Sequence, residues 1–193
     1  MRSIAIPILI LLLCVQVWGD EVKPPSDDLN VTRDEVNRWQ DQADAGEVNA
    51  KYWLGKPYFF GWQLEPDPDK AVALFKESAE GGDAQGMNAF GYCYQQGIGL
   101  EQDYEQALEW LKRAVDAGSP EGMNNLANHY ASGWGVEVDK SRAMELYKQS
   151  AEAGSTKGMY NLGRCYFLGE GVEKSRVLAF QWLERAANEN EID

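Results

Sequence analysis

The sequence predicts an all-α protein: an α/α solenoid of about four 36-residue helix-pair repeats, closed at its N-terminal end by a capping helix. Three observations predict it. First, several independent ladders run at one period: Gly46, Gly82, Gly118, Gly154 and Asn190 lie 36 residues apart, and so do Tyr58, Tyr94, Tyr130 and Tyr166. Ala71, Ala107, Ala143 and Ala179, Gly61, Gly97, Gly133 and Gly169, and Met87, Met123 and Met159 repeat at the same step without insertion, which marks a repeat architecture. Second, Met87, Phe90, Gly91 and Tyr94 follow the i, i+3, i+4, i+7 spacing of one helix face. Third, small residues recur where helices must approach: Gly55, Gly91, Ala127 and Gly163 in the first helix of each unit, and the alanine ladder in the second. They allow ridges to interlock at an interaxial distance of about 8–10 Å. One such hairpin cannot bury its apolar face alone, but a stack of four makes a continuous core.

The elements follow in order. Arg2, the apolar run Ile4 to Val17, and Val17 and Gly19 at the −3 and −1 positions describe a signal peptide over residues 1–19. The run is shorter than the ~20 residues of a membrane span, and Leu13 before Cys14 is larger than the residue a lipoprotein signal favours. Residues 20–31 form a flexible lead, and Asn30-Val31-Thr32 is a glycosylation acceptor pattern if the host is eukaryotic. Residues 32–46 read as the capping helix, with Val36, Trp39 and Ala43 facing inward.

Repeat one, residues 47–82, is degenerate. Pro57 inside its first helix should kink it, and Gln63 replaces the second loop glycine. Its aromatics, Tyr52, Trp53, Tyr58, Phe59, Phe60 and Trp62, either pack under the cap or form an exposed binding patch. Repeats two to four span 83–118, 119–154 and 155–190, leaving a tail at 191–193. Asp67, Asp103, Asp139 and Ser175 are suited to N-cap the second helices, and Pro68 suits a first helical position. The last helix is expected over Val177 to Ala187, with no further capping helix after it.

Composition excludes some functions. The net charge is −13; removal of residues 1–19 takes one arginine and no acid, leaving 17 basic and 31 acidic residues and a net charge of −14. Such a chain is repelled by phosphate backbones and anionic lipid, so neither nucleic acid nor membrane insertion after cleavage is expected. One histidine and the absence of nucleophile or phosphate-loop motifs argue against an enzyme and against a catalytic residue set. Cys93, His129 and Cys165 occupy one ladder position. Successive first helices sit ~10 Å apart, so the two thiols should be ~20 Å apart. A disulfide needs Cα atoms within about 7 Å, so neither a bridge nor a metal site is expected, and no cofactor is implied. The small-hydrophobe role of cysteine fits the position.

The run from Gly82 to Leu100, followed by Asp103 to Gly118, resembles a Sel-1-like repeat, the 36-residue relative of the tetratricopeptide repeat. Leu162-Gly163-x-x-Tyr166-x-x-Gly169-x-Gly171-Val172 carries the resemblance without a gap, and it covers Ala43 to Asn190. It implies a right-handed superhelix with a concave surface that holds other proteins. It also implies a groove register, set relative to Leu54, Phe90, Leu126 and Leu162. That register selects Tyr52, Asn88, Asn124 and Tyr160; Trp53, Ala89, Asn125 and Asn161; and Lys56, Tyr92, Asn128 and Arg164. The set mixes amides, aromatics and cations without an acid. Amides suit the backbone of an extended peptide, aromatics supply contact area, and Arg164 with Lys56 suits carboxylates. The expectation is an exported, periplasmic or secreted, single-copy scaffold for a protein or peptide partner. The alternatives are a cell-wall or β-lactam-linked hydrolase, an activity associated with some exported relatives, and a glycan-binding module built on the repeat-one aromatics. The missing Ser-x-x-Lys motif and cysteine pairs count against the hydrolase.

Overall fold

A computed structural model describes residues 31–191. The expected signal peptide, the lead up to Asn30, Cys14 and residues 192–193 lie outside the described residues. Among the described residues there are nine helices: α1 (Arg33–Asp44), α2 (Val48–Phe60), α3 (Pro68–Glu80), α4 (Ala84–Gln96), α5 (Tyr104–Asp116), α6 (Pro120–Ser132), α7 (Lys140–Glu152), α8 (Thr156–Leu168) and α9 (Arg176–Glu191). None is long and apolar enough to cross a membrane. Each helix packs on the next in the chain, and the first helices of successive repeats (α2, α4, α6, α8) also touch one another. No comparable contact joins successive second helices, so the first helices form the inner layer of the curve and the second helices the outer.

The connections are uniform because their chemistry is. Gly61, Gly97, Gly133 and Gly169 take φ between 68 and 78° and end α2, α4, α6 and α8, each returning its N–H to the carbonyl four residues back. The tyrosine ladder then fastens the loop from the backbone side. The carbonyls of Tyr58, Tyr94, Tyr130 and Tyr166 accept the N–H of Asp67, Asp103, Asp139 and Ser175 at 2.8–2.9 Å. Those four residues cap the second helices: Asp67 accepts from Lys70, Asp103 from Glu105 and Gln106, Asp139 from Arg142 and Ser175 from Leu178.

Repeats join where a first helix meets the preceding second helix at glycine. A Cβ on Gly122 would lie 2.9 Å from the Ala114 methyl, and one on Gly158 would lie 2.7 Å from the Ala151 backbone nitrogen. A Cβ on Gly86 would lie 2.6 Å from Ser78 Cβ. No room remains for a methyl group, so the helices sit at the short end of their packing range. Cys93 and Cys165 are buried free thiols, and burial pushes the Cys93 pKa up to about 12.

At the N-terminal end α1 begins with a capping box. Thr32 Oγ1 accepts the Glu35 N–H, and Glu35 accepts the Thr32 N–H at 2.8 Å. Val36 and Ala43 are buried, and Trp39 stacks on Trp53 with ring centres 5.8 Å apart. Gln63 keeps the left-handed backbone of the glycine it replaces, at φ 57°. That conformation costs roughly 1 kcal/mol for a non-glycine residue. Gln63 is also what fastens the cap: its Nε2 donates to the Val31 carbonyl at 3.0 Å, and its own carbonyl accepts from Arg33.

Pro57 does not end its helix, and one expectation is corrected. Helix α2 runs through Pro57 to Phe60 and is 13 residues long, like α4, α6 and α8. Pro57 lies in the last turn, where only the carbonyl four residues earlier loses its donor. Helix α9 continues to Glu191 instead of ending at Ala187. Asn190 stands where the other repeats have the glycine that turns the chain, so nothing in the sequence stops the helix there.

Two outcomes are expected. Gly158→Ala destabilises the fold by about 1–2 kcal/mol in urea titration, because overpacking against backbone outweighs the gain in helix propensity. His129 gives a pH dependence. It is fully buried, its Nδ1–H donates to the Trp134 carbonyl at 2.8 Å, its Nε2 faces the Gln95 amide at 3.1 Å, and burial lowers its pKa. A depressed folded value means the stabilising contribution is present above the unfolded pKa of about 6.5 and is lost as pH falls below it. Between pH 7 and 5 the wild type should lose more stability than His129→Gln, by at most about 1.4 kcal/mol per pH unit.

Candidate functional site

The inner helices bring the asparagines into one hydrogen-bonded chain across three repeats. Arg164 Nη1 donates to Asn161 Oδ1 at 3.3 Å, and Asn161 Nδ2 donates to Asn124 Oδ1 at 2.8 Å. Asn124 Nδ2 donates to Asn125 Oδ1 at 3.4 Å, and Asn125 Nδ2 donates to Asn88 Oδ1 at 2.8 Å. The short bonds are those that cross between helices, α8 to α6 and α6 to α4. They arise because the 36-residue step places amides at adjacent ladder positions on neighbouring inner helices. Asn124 is 3 % exposed, so it holds the chain together from beneath and its neighbours face outward.

Beside this chain a cleft of about 230 Å³ opens between repeats three and four. Asn128, Asn161 and Arg164 line it from α6 and α8; Lys140 and Tyr147 line it from α7; Glu170 closes it from the last loop. Tyr147 donates its hydroxyl to Asn128 Oδ1 at 2.6 Å, which orients the amide and leaves its N–H₂ group as a donor. Burial raises the Tyr147 pKa still further above the physiological range, so the hydroxyl remains a donor. Lys140 Nζ lies 2.8 Å from Glu170, and this bond, with the Arg164 charge adding to it, holds the Glu170 carboxyl below the usual range. Cys165 forms part of the wall, and burial raises its pKa, so it is an unreactive thiol there. The cleft thus presents amide and cationic donors, with one carboxylate already engaged by lysine. That arrangement is suited to binding carbonyl and carboxylate oxygens.

The sequence-selected residues divide into two groups. Asn88, Asn124, Asn125, Asn161 and Arg164 form the chain, Asn128 lies in the cleft, and Tyr160 is exposed on α8 beside it. Tyr92 and Ala89 are half-buried against the repeat-two core. Tyr52, Trp53 and Lys56 are elsewhere, at the capped end. Lys56 Nζ sits 4.7 Å from the Trp53 ring centre and 5.1 Å from that of Trp62, Tyr52 meets Phe75, and Trp53 is covered by Trp39. Trp53 and Tyr58 therefore pack under the cap, Tyr52 and Phe59 pack on Phe75, Phe60 stacks on Trp62, and none of these is among the exposed large apolar side chains.

Lys140, Tyr147 and Glu170 are cleft residues that escaped the register. The ladders do carry a signal for them. Tyr147 interrupts Phe75, Leu111 and Leu183, and Glu170 follows Trp62, Ile98 and Trp134. Polar atoms at otherwise apolar repeat positions mark the cleft. Among the described residues no group of three or more histidine, cysteine or acidic side chains is placed to hold a metal ion. The one histidine is taken up in a buried contact between repeats.

The Sel1 repeat pattern matches four consecutive segments, 48–83, 84–119, 120–155 and 156–191. The chain belongs to the Sel1 repeat family. These boundaries fall one residue later than the ladder read from the sequence. Sel1 repeats are generally protein-interaction scaffolds and typically not enzymes. Among solved structures the chain is similar to c5321, a protective antigen present in uropathogenic Escherichia coli strains. The TM-score is 0.69 and the identity 34 %, over 83 % of this chain and 34 % of that one. The chain therefore spans about a third of the length of the antigen. It is also similar to a Sel1 repeat protein from Oxalobacter formigenes, with TM-score 0.67 and 25 % identity, over 94 % of this chain and 73 % of that one. No curated relative matches the chain.

The amide chain makes a stability prediction. Asn124→Ala leaves the Asn161 donor and the Asn125 acceptor without their partner in a partly buried setting. The expected loss is about 1–3 kcal/mol, read from the urea midpoint.

Proposed function

We propose that this Sel1 repeat protein is an exported scaffold that holds an extended peptide segment of a protein partner along its inner helices, anchored in the cleft between repeats three and four. The cleft carries the reading. Asn128 is pre-oriented by Tyr147, Arg164 is tethered to the amide chain, and Lys140 stands at the rim. An extended peptide presents a carbonyl at every residue, and donors fixed in place bind it without first losing side-chain entropy. A chain with this net charge holds its cleft cations at a site distinguished by sign from the rest of its surface. The segment it would take carries a carboxylate near the Arg164 end. Export rests on the N-terminal pattern of Arg2, the apolar run and Gly19. A protective antigen among the structural relatives is in keeping with it.

The test is a displayed library of random linear peptides, selected on the wild type and measured by fluorescence anisotropy. Selected peptides should be acidic and should bind Asn128→Ala/Arg164→Ala at least about tenfold more weakly, with an affinity that falls as salt rises. Asn128 is half-buried and Arg164 exposed, and an unchanged helical circular dichroism spectrum is the check that the variant folds. Equal binding to wild type and variant would place recognition elsewhere and overturn the reading.

A further inference from the structure

The C-terminal end of the stack exposes large apolar side chains: Phe167 at 59 %, Val177 at 68 % and Phe180 at 65 %. The repeat identifies what the two phenylalanine positions do in the interior of the stack. Phe180 is the counterpart of Val72 and Leu108, both buried at 8 %, and of half-buried Met144. Val72 lies against the following repeat, its Cγ2 3.0 Å from the Cβ position of Gly99. Phe167 is the counterpart of buried Phe59, of half-buried Ala131, and of Gln95, which is 6 % exposed and meets His129 of the following repeat. The end face is therefore a continuation of the interface that each inner repeat buries against its successor. It keeps the apolar character of its inner versions, in which five of the six residues at these two positions, Phe59, Val72, Leu108, Ala131 and Met144, are apolar. A face evolved only to meet water would replace these positions with polar side chains.

The layout of the two ends selects the occupant. Among the described residues the opposite end offers no matching surface, because α1 covers α2 and turns Arg33, Asp34, Asn37, Arg38 and Asp41 to solvent. Head-to-tail stacking is thereby blocked. The C-terminal face can meet its own copy, and its charges suit that meeting. Exposed Lys174 and Arg176 lie at the start of α9, and exposed Glu184 and Glu189 lie toward its end. An antiparallel two-fold pairing about Phe180 sets each basic start beside the other copy's acidic end, and it aligns the two helix dipoles favourably. A contact of this kind closes at two copies.

We propose that this chain pairs with a second copy of itself through an isologous contact of α9 and the end of α8, centred on Phe180. The pairing leaves the cleft between repeats three and four on the inner face and does not depend on what the cleft binds.

Sedimentation velocity of the full chain, from low micromolar to hundreds of micromolar, tests it. The expected result is a reversible dimer. Phe180→Glu, and separately Phe167→Glu, should raise its dissociation constant at least about tenfold with an unchanged helical circular dichroism spectrum, since both side chains are already exposed. Arg176→Glu should also weaken the dimer, and adding Glu184→Arg to it should restore the affinity, which a merely sticky surface would not do. A chain that stays monomeric throughout overturns the proposal. So does a dimer indifferent to Phe180→Glu, which would place association elsewhere, residues 1–30 included, or an open series of larger species.

Discussion

Everything in this molecule depends on how closely one repeat can approach the next. The approach is set at Gly86, Gly122 and Gly158, where a first helix lies so near the preceding second helix that a single methyl group has no place. That distance brings the inner helices within reach of one another, and without it the 2.8 Å amide bonds between α4, α6 and α8 could not form. The glycines weaken helix propensity by about 1 kcal/mol each. The contact they permit is repeated at every junction, so the loss is offset along the whole stack. Where the stack meets its cap, Ala50 takes the same ladder position and is buried at 4 %, so that junction carries a methyl group that the others exclude.

The inner surface is polar without being loosely solvated. Each amide in the chain from Arg164 to Asn88 both donates and accepts, apart from its two ends, so the carbonyl and N–H₂ groups satisfy one another across repeats. A network closed in this way is rigid, and rigidity is what a peptide-binding groove needs from its floor. The outward-facing donors beside it are then held by neighbours already fixed, as Asn128 is by Tyr147. The capped end solves a different problem. There the aromatic rings and Lys56 pack on one another, and Trp53 stacks on Trp39 of α1, so the rings close the stack ahead of repeat one.

Legibility in the sequence followed the physics of each feature. The helices, their caps and their loop glycines could be read because each is local: a cap or a left-handed turn is decided within a few residues. Pro57 leaves its helix unbroken because in the last turn it removes only one donor. The end of α9 misled because the stop in the other repeats is a glycine turn, and Asn190 does not supply one. The asparagines could be placed on the inner face from the register. Their division between floor and surface could not be read, because Asn124 and Asn125 are neighbours in the chain and differ only in what the next repeat covers.

By itself the sequence determined the repeat, its period and the order of helices and loops, which follow from spacing along the chain. The face on which the amides lie was implied by the register of the family that the repeat resembles. Only the tertiary structure decided which side chains meet across repeats: the directed amide chain, the cleft completed by Lys140, Tyr147 and Glu170 from α7 and the last loop, and the packing of Trp53 under α1. Those meetings depend on the rotation between one repeat and the next, and rotation is fixed by close packing at the junctions, which no single unit of 36 residues contains.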